Sequence, residues 1–337
     1  MAGVGGSRMR EAGVTLIEDV ERMAVMGFVE VIRHIPRHWL LLRDLRQRLD
    51  RQQTGLVTLI DYPGFNMRVA ERARARGVPV LYYITPQVWA WGAGRLATLS
   101  RLITRAAVIL PFEEPLLRQH GIDATFVGHP LLDRAQGMPD RRAARRALGL
   151  PGDARVLALF PGSRGQEIAR HLDDFVAVGR ELQRRLPGLH VVVSVAPGIE
   201  LDGSSCPFPT VRGASFDVLR AADAAFCKSG TSTLEAAVAG CPLAIGYRTN
   251  RVTYAIASRV VRVPWIGLVN VVAGRLVAPE FVQRRLVPAT VADTLQPLLH
   301  DSPERDRMLD DLAAVRSRLG TPGAADRVAE MALGMVR

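Results

Sequence analysis

The chain has 337 residues, enough for two domains of ordinary size, and its 48% hydrophobic and 23% charged content excludes a disordered chain. A net charge of +11 points to anionic partners: nucleic acid, an acidic lipid surface or a phosphorylated substrate. Lys228 is the single lysine among 44 basic residues, so nearly all of that charge is arginine, a bias that genome composition can also produce. No apolar run approaches the ~18 residues of a membrane span, and the opening residues lack a signal-peptide core. Cys206, Cys227 and Cys241 have no metal-ligand spacing and sit in apolar context, as buried thiols of a reducing compartment do. The expectation is a cytoplasmic protein that can rest on a membrane.

In chain order, the first distinctive segment is VMGFVEVIRHIPRHWLLLRDLRQRLD (25–50). Phe28, Val31, Ile32, Ile35 and Trp39 recur at helical spacing, with Arg33, His34, Arg37, His38 and Arg43 between them. Two readings stay open: a helix lying on an anionic bilayer, or a helix packed on a sheet with a solvated basic face. Short apolar runs then alternate with helical stretches: GLVTLIDYP (55–63), VPVLYYITP (78–86), RAAVILPF (105–112) and DATFVGHP (123–130). This rhythm predicts parallel β-α-β units, with ligands beyond the carboxyl ends of the strands, where Asp61, Thr85, Glu113 and His129 fall. DRRAARRALGLPGDAR (140–155) reads as an interdomain connection. The rhythm restarts in VLALFPGSRGQEI (156–168), LHVVVSVAP (189–197), AADAAFCKSG (221–230) and CPLAIGYR (241–248), and helices fill the chain from about 288. The division is therefore 1–150 and 151–337: two doubly wound Rossmann-type α/β domains facing a cleft, with the terminal helices able to pack back on the first.

Several motifs carry candidate chemistry. Gly162, Ser163 and Arg164 follow a strand and precede a helix, a turn that offers backbone N–H groups and a guanidinium to a diphosphate or is an ordinary βα turn. KSGTSTLE (228–235) lacks the spacing of a P-loop; Ser232-x-x-Glu235 is a capping box, while a carboxylate at a helix start can also accept from ribose hydroxyls. Asp61 suits a general base or a turn aspartate, with Asn66 as its partner or a cap. Trp89 and Trp91 suit sugar or acyl-chain contact or a plug beneath the cleft, and His129 is a lone histidine after a strand. No cluster has zinc spacing, there is no D-x-D triplet, and no nucleic-acid-binding motif accompanies the basic charge.

Taken together, VGGSRMREAG, MAVMGFVEVIRHIPR, IDYPGFNMRVA, YYITPQVWAW, FVGHPLLD, LFPGSRGQEI, KSGTSTLEAAVAGCP, VPWIGLVNVVAGR and VAPEF resemble, in order along nearly the whole chain, the bacterial lipid-A-disaccharide synthase family of GT-B glycosyltransferases. The resemblance implies an inverting, metal-independent transfer with no cofactor. The donor is UDP-2,3-diacylglucosamine, the acceptor is the 6-hydroxyl of 2,3-diacylglucosamine 1-phosphate (lipid X), and the products are lipid A disaccharide 1-phosphate and UDP. It implies Asp61 as general base, Ser163, Arg164, Ser229, Gly230 and Thr231 at the UDP diphosphate, and Glu235 at the ribose. Asn66, Trp89, His129, Asn270 and Glu280 are further cleft residues. It favours membrane contact through Phe28, Ile32, Arg33, Arg37 and Trp39, on the cytoplasmic face of the inner membrane, gives no role to nucleic acid, and allows a homodimer.

Two departures accompany the resemblance. The family opens with a strand and a GEASGD loop that this chain, starting at MAGVGGSRM, does not show, so the first strand of the N-terminal sheet is expected to be absent and the activity of such a truncated chain is open. After WAW, where the family often has arginine, stands Gly92. The alternatives are a chain that binds UDP or lipid without turnover, or another GT-B UDP-sugar enzyme such as an epimerase.

Overall fold

The structure is a computed structural model that describes residues 1–20, 28–51, 54–90, 93–201, 206–250, 253–255, 259 and 263–336, with 28–37 and 93 as backbone only. The first residues form a parallel pair, β1 (Ala2–Gly5) and β2 (Thr15–Asp19), joined through α1 (Ser7–Glu11). Hydropathy did not announce these strands, because AGVG and TLIED are too short and too mixed to show a period. After α2 (Phe28–Arg51) the expected rhythm appears. β3 (Val57–Ile60), α3 (Pro63–Arg74), β4 (Val80–Tyr83), α4 (Leu96–Leu102), β5 (Arg105–Val108), α5 (Glu113–Gln119) and β6 (Ala124–Phe126) build a parallel sheet in the order β3-β4-β5-β6. One face of it packs on the helices around Tyr82, Leu99 and Leu117.

The second half begins with α6 (Leu131–Arg134) and α7 (Arg141–Ala147) and continues through β7 (Val156–Phe160), α8 (Gly165–Arg185), β8 (His190–Val195), β9 (Thr210–Arg212) and α9 (Ser215–Ala221). β10 (Ala224–Lys228), α10 (Ser232–Ala239), β11 (Leu243–Tyr247), α11 (Leu268–Ala273) and β12 (Glu280–Val282) follow, then α12 (Pro288–Leu295), α13 (Pro303–Arg318) and α14 (Ala324–Val336). The six strands are parallel in the order β12-β11-β10-β7-β8-β9. VLALF, HVVVSV and AAFC are almost uninterrupted apolar runs because helices cover both faces of this sheet. At its centre Phe175 stacks on Phe226, ring centroids 4.1 Å apart, and a Cβ at Gly246 would stand 2.4 Å from Phe226, so only glycine fits there.

Residues 140–155 are docked rather than free. Asp140 caps α7 by accepting from the Ala143 N–H at 2.7 Å, and Arg141 and Arg145 both bond Asp223, which also accepts from the Val156 N–H at 2.8 Å. The guanidinium of Arg145 is buried, with its charge balanced by that shared carboxylate.

FVGHPLLD is the socket for the end of the chain. The Val127 carbonyl accepts from Arg327 Nε at 2.8 Å, the His129 N–H donates to the Leu319 carbonyl at 2.9 Å, and Asp133 accepts from the N–H groups of Gly323 and Ala324 at the start of α14. Gly128, at φ 83°, is pressed so closely that a Cβ would stand 2.9 Å from the Thr321 carbonyl. α14 then crosses back and covers the second face of the first sheet, with Val328, Met331 and Met335 against Leu81, Tyr83, Ala107 and Val127. Asp133→Ala should uncap α14 at a cost of about 1 kcal/mol, roughly fivefold in the local opening equilibrium. Hydrogen exchange of the 324–336 amides is expected to quicken by that factor while the β7–β10 amides stay protected; unchanged exchange in 324–336 would contradict the capping role.

Candidate active site

In the second sheet the chain runs outward in one direction from β7 through β8 to β9 and in the other from β10 through β11 to β12. This is the strand order of dinucleotide-binding folds, and the point where it reverses, between the ends of β7 and β10, is where such sheets bind ligands. The PGSR loop leaves β7 there and the SGT loop leaves β10 beside it, with Phe160 and Cys227 paired across the ladder. α8 and α10 start immediately after, so their unpaired N–H groups border the same crevice. Ser163, Arg164 and Thr231 are exposed at its rim, and Ser229 and Gly230 are half-buried. Ser229 Oγ donates to the Ile266 carbonyl at 2.6 Å, tying the loop to the segment before α11.

Behind the rim stands an ion pair between Lys228 Nζ and Glu167 Oε1 at 3.0 Å. Glu167 Oε2 accepts from the Ser163 N–H at 3.1 Å, and Arg164 Nη1 lies 3.4 Å from Oε1. Burial alone would raise the Glu167 carboxyl, but Lys228 and the Ser163 N–H outweigh it and hold it below the usual range. One turn on, His171 is buried. Its Nδ1 lies 2.7 Å from the Glu167 carbonyl and its Nε2 accepts from the Arg248 N–H at 3.0 Å, so the ring stays neutral, with desolvation lowering its pKa.

The capping box does not form. Ser232 Oγ donates to the Lys228 carbonyl at 3.1 Å, and the helix has no side-chain cap. Glu235 instead accepts from Arg134 Nη1 at 3.0 Å, a partner 101 residues away and outside any local motif. Its carboxylate is therefore fixed, nearly buried, by the α6 guanidinium.

At the end of β3, Asp61 and Tyr62 are both in the left-handed region, at φ 47° and 46°. Two successive non-glycine residues there are strained, and the surrounding bonds over-determine them. The Asp61 carbonyl accepts from Tyr82 Oη at 2.8 Å and from Asn66 Nδ2 at 2.7 Å; Asn66 Nδ2 also reaches the Ile60 carbonyl at 3.0 Å, and the Asp61 N–H donates to Tyr83. With its main chain clamped, the Asp61 side chain is left exposed. Asn66 is thus a backbone clamp rather than a helix cap. Tyr82, fully buried, was not singled out by sequence; a tyrosine closing an apolar strand beside an Asp-Tyr-Pro turn was the available signal. Tyr62 Oη lies 2.9 Å from His38 Nε2, which joins α2 to this turn.

The remaining candidates are structural in their placement. His129 is buried, its Nδ1 accepts from the Leu131 N–H at 3.1 Å, and desolvation lowers its pKa to about 4, so the ring is neutral. Asn270 has no exposed surface and uses every hydrogen-bonding position: Nδ2 donates to Ala278 and Glu280 at 2.8 Å, and Oδ1 accepts from the Val277 and Ala278 N–H groups. Glu280 also accepts from the N–H groups of Ile266 and Gly267, so these two residues, expected on the cleft surface, latch the loop beneath it. Trp89 is half-buried, edge-on to Phe112, and donates Nε1 to Glu113 Oε1 at 3.0 Å; this is the plug arrangement, and Trp91 and Gly92 lie outside the described residues. Phe28, Ile32, Arg33 and Arg37 lie on α2 with side chains outside the described structure, while Trp39 is 62% exposed. Among the described residues, no group of three His, Cys, Asp or Glu side chains could hold a metal ion, and no helix is long and apolar enough to cross a membrane.

Two Rossmann-type α/β halves, a helix that returns from the second to the first, and two small-residue loops at the switch point of the second sheet are the architecture of a GT-B-type fold. The fold is similar to that of UDP-GlcNAc 2-epimerase from Neisseria meningitidis, solved bound to UDP-GlcNAc, with a TM-score of 0.62 over 99% of each chain; at 13% identity that likeness is one of fold. Along the sequence, the Lipid-A-disaccharide synthetase family profile matches residues 1–320. Lipid-A-disaccharide synthases of Trichlorobacter lovleyi and Syntrophus aciditrophicus are 41% and 40% identical, over 99% of this chain and 89% and 90% of theirs. The chain belongs to the lipid-A-disaccharide synthase family, and its activity is a glycosyl transfer from a UDP-sugar donor to a lipid acceptor.

One titration follows from the buried Trp89–Glu113 pair. Glu113 accepts from Trp89 and from the Leu110 N–H, yet desolvation dominates and lifts its pKa from 4.5 to about 7. An acid whose folded pKa is raised favours folding fully below its unfolded value, and that contribution is lost as pH rises from about 4.5 through 7. Glu113→Gln should flatten the pH dependence of the unfolding midpoint across that window; an unchanged slope would refute the assignment.

Proposed function

We propose that the chain transfers 2,3-diacylglucosamine from UDP-2,3-diacylglucosamine to the 6-hydroxyl of 2,3-diacylglucosamine 1-phosphate, with inversion, at the cytoplasmic face of a bacterial inner membrane. The observation that carries the reading is the corner around Asp61. An exposed carboxylate on a clamped, strained turn adjoins Ile60 and Tyr62, each 50% exposed, and through His38 it meets the helix bearing exposed Trp39 and Leu40. A catalytic carboxylate beside open apolar surface suits an acceptor whose sugar hydroxyl must be activated while its acyl chains stay out of water.

In this mechanism Asp61 takes the proton of the acceptor 6-hydroxyl as its oxygen attacks the anomeric carbon of the donor. The bond from that carbon to the diphosphate breaks on the opposite face, and UDP departs with the electron pair. Ser163, Arg164, Ser229, Gly230 and Thr231 surround the diphosphate, where backbone N–H groups, hydroxyls and a guanidinium stabilise the developing charge. Glu235 accepts from the ribose hydroxyls. Tyr82 and Asn66 do not touch substrate; they hold Asp61 in its turn. The basic surface and the amphipathic helix α2 meet anionic lipid at the membrane.

The test is a UDP-release assay with the two acylated substrates, with non-acylated UDP-GlcNAc as control. Turnover is expected only with the acylated pair, and turnover of the control alone would overturn the reading. Asp61→Asn should lower kcat by at least a hundredfold with UDP affinity retained. Tyr82→Phe should lower kcat by about tenfold with little change in KM, as expected for a displaced base. Full activity in Asp61→Asn would remove the base from this residue.

A further inference from the structure

Lys228 stands where an otherwise arginine-based chain places its one lysine: at the carboxyl end of β10, directly before the SGT loop, at the reversal of strand order. Its side chain is only 17% exposed, as is that of its partner Glu167, so this is not a solvated surface pair. Around the Glu167 carboxylate converge the Lys228 ammonium at 3.0 Å, the Ser163 N–H at 3.1 Å and the Arg164 guanidinium at 3.4 Å. An ammonium, a guanidinium and a backbone N–H at a helix start are the donor set that phosphate oxygens take. The face of Tyr247, 5.8 Å from Nζ, flanks the lysine on β11.

Glycine opens both loops toward this pair. Gly162, at φ 147°, leaves the space in which Glu167 sits, since a Cβ there would lie 2.6 Å from the Glu167 Cβ. Gly230, at φ 153°, faces Nζ at 3.8 Å from where its own Cβ would be. One N–H of the ammonium is spent on Glu167, and among the described residues the other two have no hydrogen-bond partner. A compact ammonium fits this half-buried place, whereas a planar guanidinium would need a wider opening.

We propose that Lys228 is a ligand of the donor's diphosphate and that Glu167 is the positioning residue that holds its ammonium and the Ser163 amide at the crevice. This rests on the UDP site described under the proposed function and adds to it the residue behind the SGT loop.

Binding of UDP and of uridine, which lacks the phosphates, separates the possibilities. Lys228→Met should weaken UDP by about tenfold to a hundredfold, the range of a lost charge-assisted hydrogen bond, and leave uridine unchanged. Lys228→Arg, which keeps the charge but must fit a wider group into the same place, should lose less than Lys228→Met and more than none. Glu167→Gln should weaken UDP severalfold in the unsubstituted chain and have a smaller effect beside Lys228→Met, because it acts in part through the lysine and in part through the Ser163 amide. UDP affinity that survives Lys228→Met, with only a lower melting temperature, overturns the lysine's role while leaving the UDP site standing. Failure of the unsubstituted chain to bind UDP overturns the site and this inference together.

Discussion

Nine residues, Phe126 to Arg134, hold the two halves and the chain end together. Leu131 and Leu132 are buried in the core of the second half, although they follow directly on the last strand of the first. Asp133 caps the returning helix α14, the His129 N–H pairs with Leu319, and Arg134 reaches Glu235 at the crevice. The requirement that buried backbone groups be paired makes these contacts mutually dependent. α14 can cover the first sheet only if its leading N–H groups are satisfied, and the residue that satisfies them sits between two core leucines and the Glu235 partner. The Arg134 side of the Arg134–Glu235 pair is exposed and the pair adds little stability, so its consequence is positional: it fixes the Glu235 carboxylate near the start of α10.

The two chemical ends of the molecule obtain precision by different means. The β3 end stores strain, with two non-glycine residues in the left-handed region held by Tyr82, Asn66 and Tyr83. The β7–β10 end avoids strain by placing glycine at the tight points and fixes its loops with charge, through Glu167, Lys228 and the Ser163 amide. Strain suits a carboxylate that must project from the end of an edge strand. Glycine and backbone donors suit a site that receives an anion at close range.

Most of the strand positions followed from hydropathy because helices cover the sheets, which leaves apolar runs long enough to see. β1, β2, β9 and β12 did not, because AGVG, TLIED, TVR and EFV mix polar, charged or small residues into runs too short to show a period. The loops that border the crevice were also readable, since small residues between a strand and a helix mark a place where main chain must be accessible. Side-chain partners do not follow from the same motifs. Ser232-x-x-Glu235 has the spacing of a capping box, yet both side chains found other partners. Asn270 and Glu280, expected as further cleft residues, bond each other and the main chain of the loop around them.

The order of most elements and membership of a glycosyltransferase family were thus contained in the chain as a string, because periodicity, loop composition and motif order are local or cumulative properties. The partners of single charged groups were not. Glu167 and Lys228 are 61 residues apart, Arg134 and Glu235 are 101 apart, and Asp133 meets α14 across 190. Such pairings are set by which strand ends adjoin and which helix crosses back. Whether a carboxylate caps its own helix, binds a distant cation or faces a ligand is decided by the competition among all the donors the fold brings within reach.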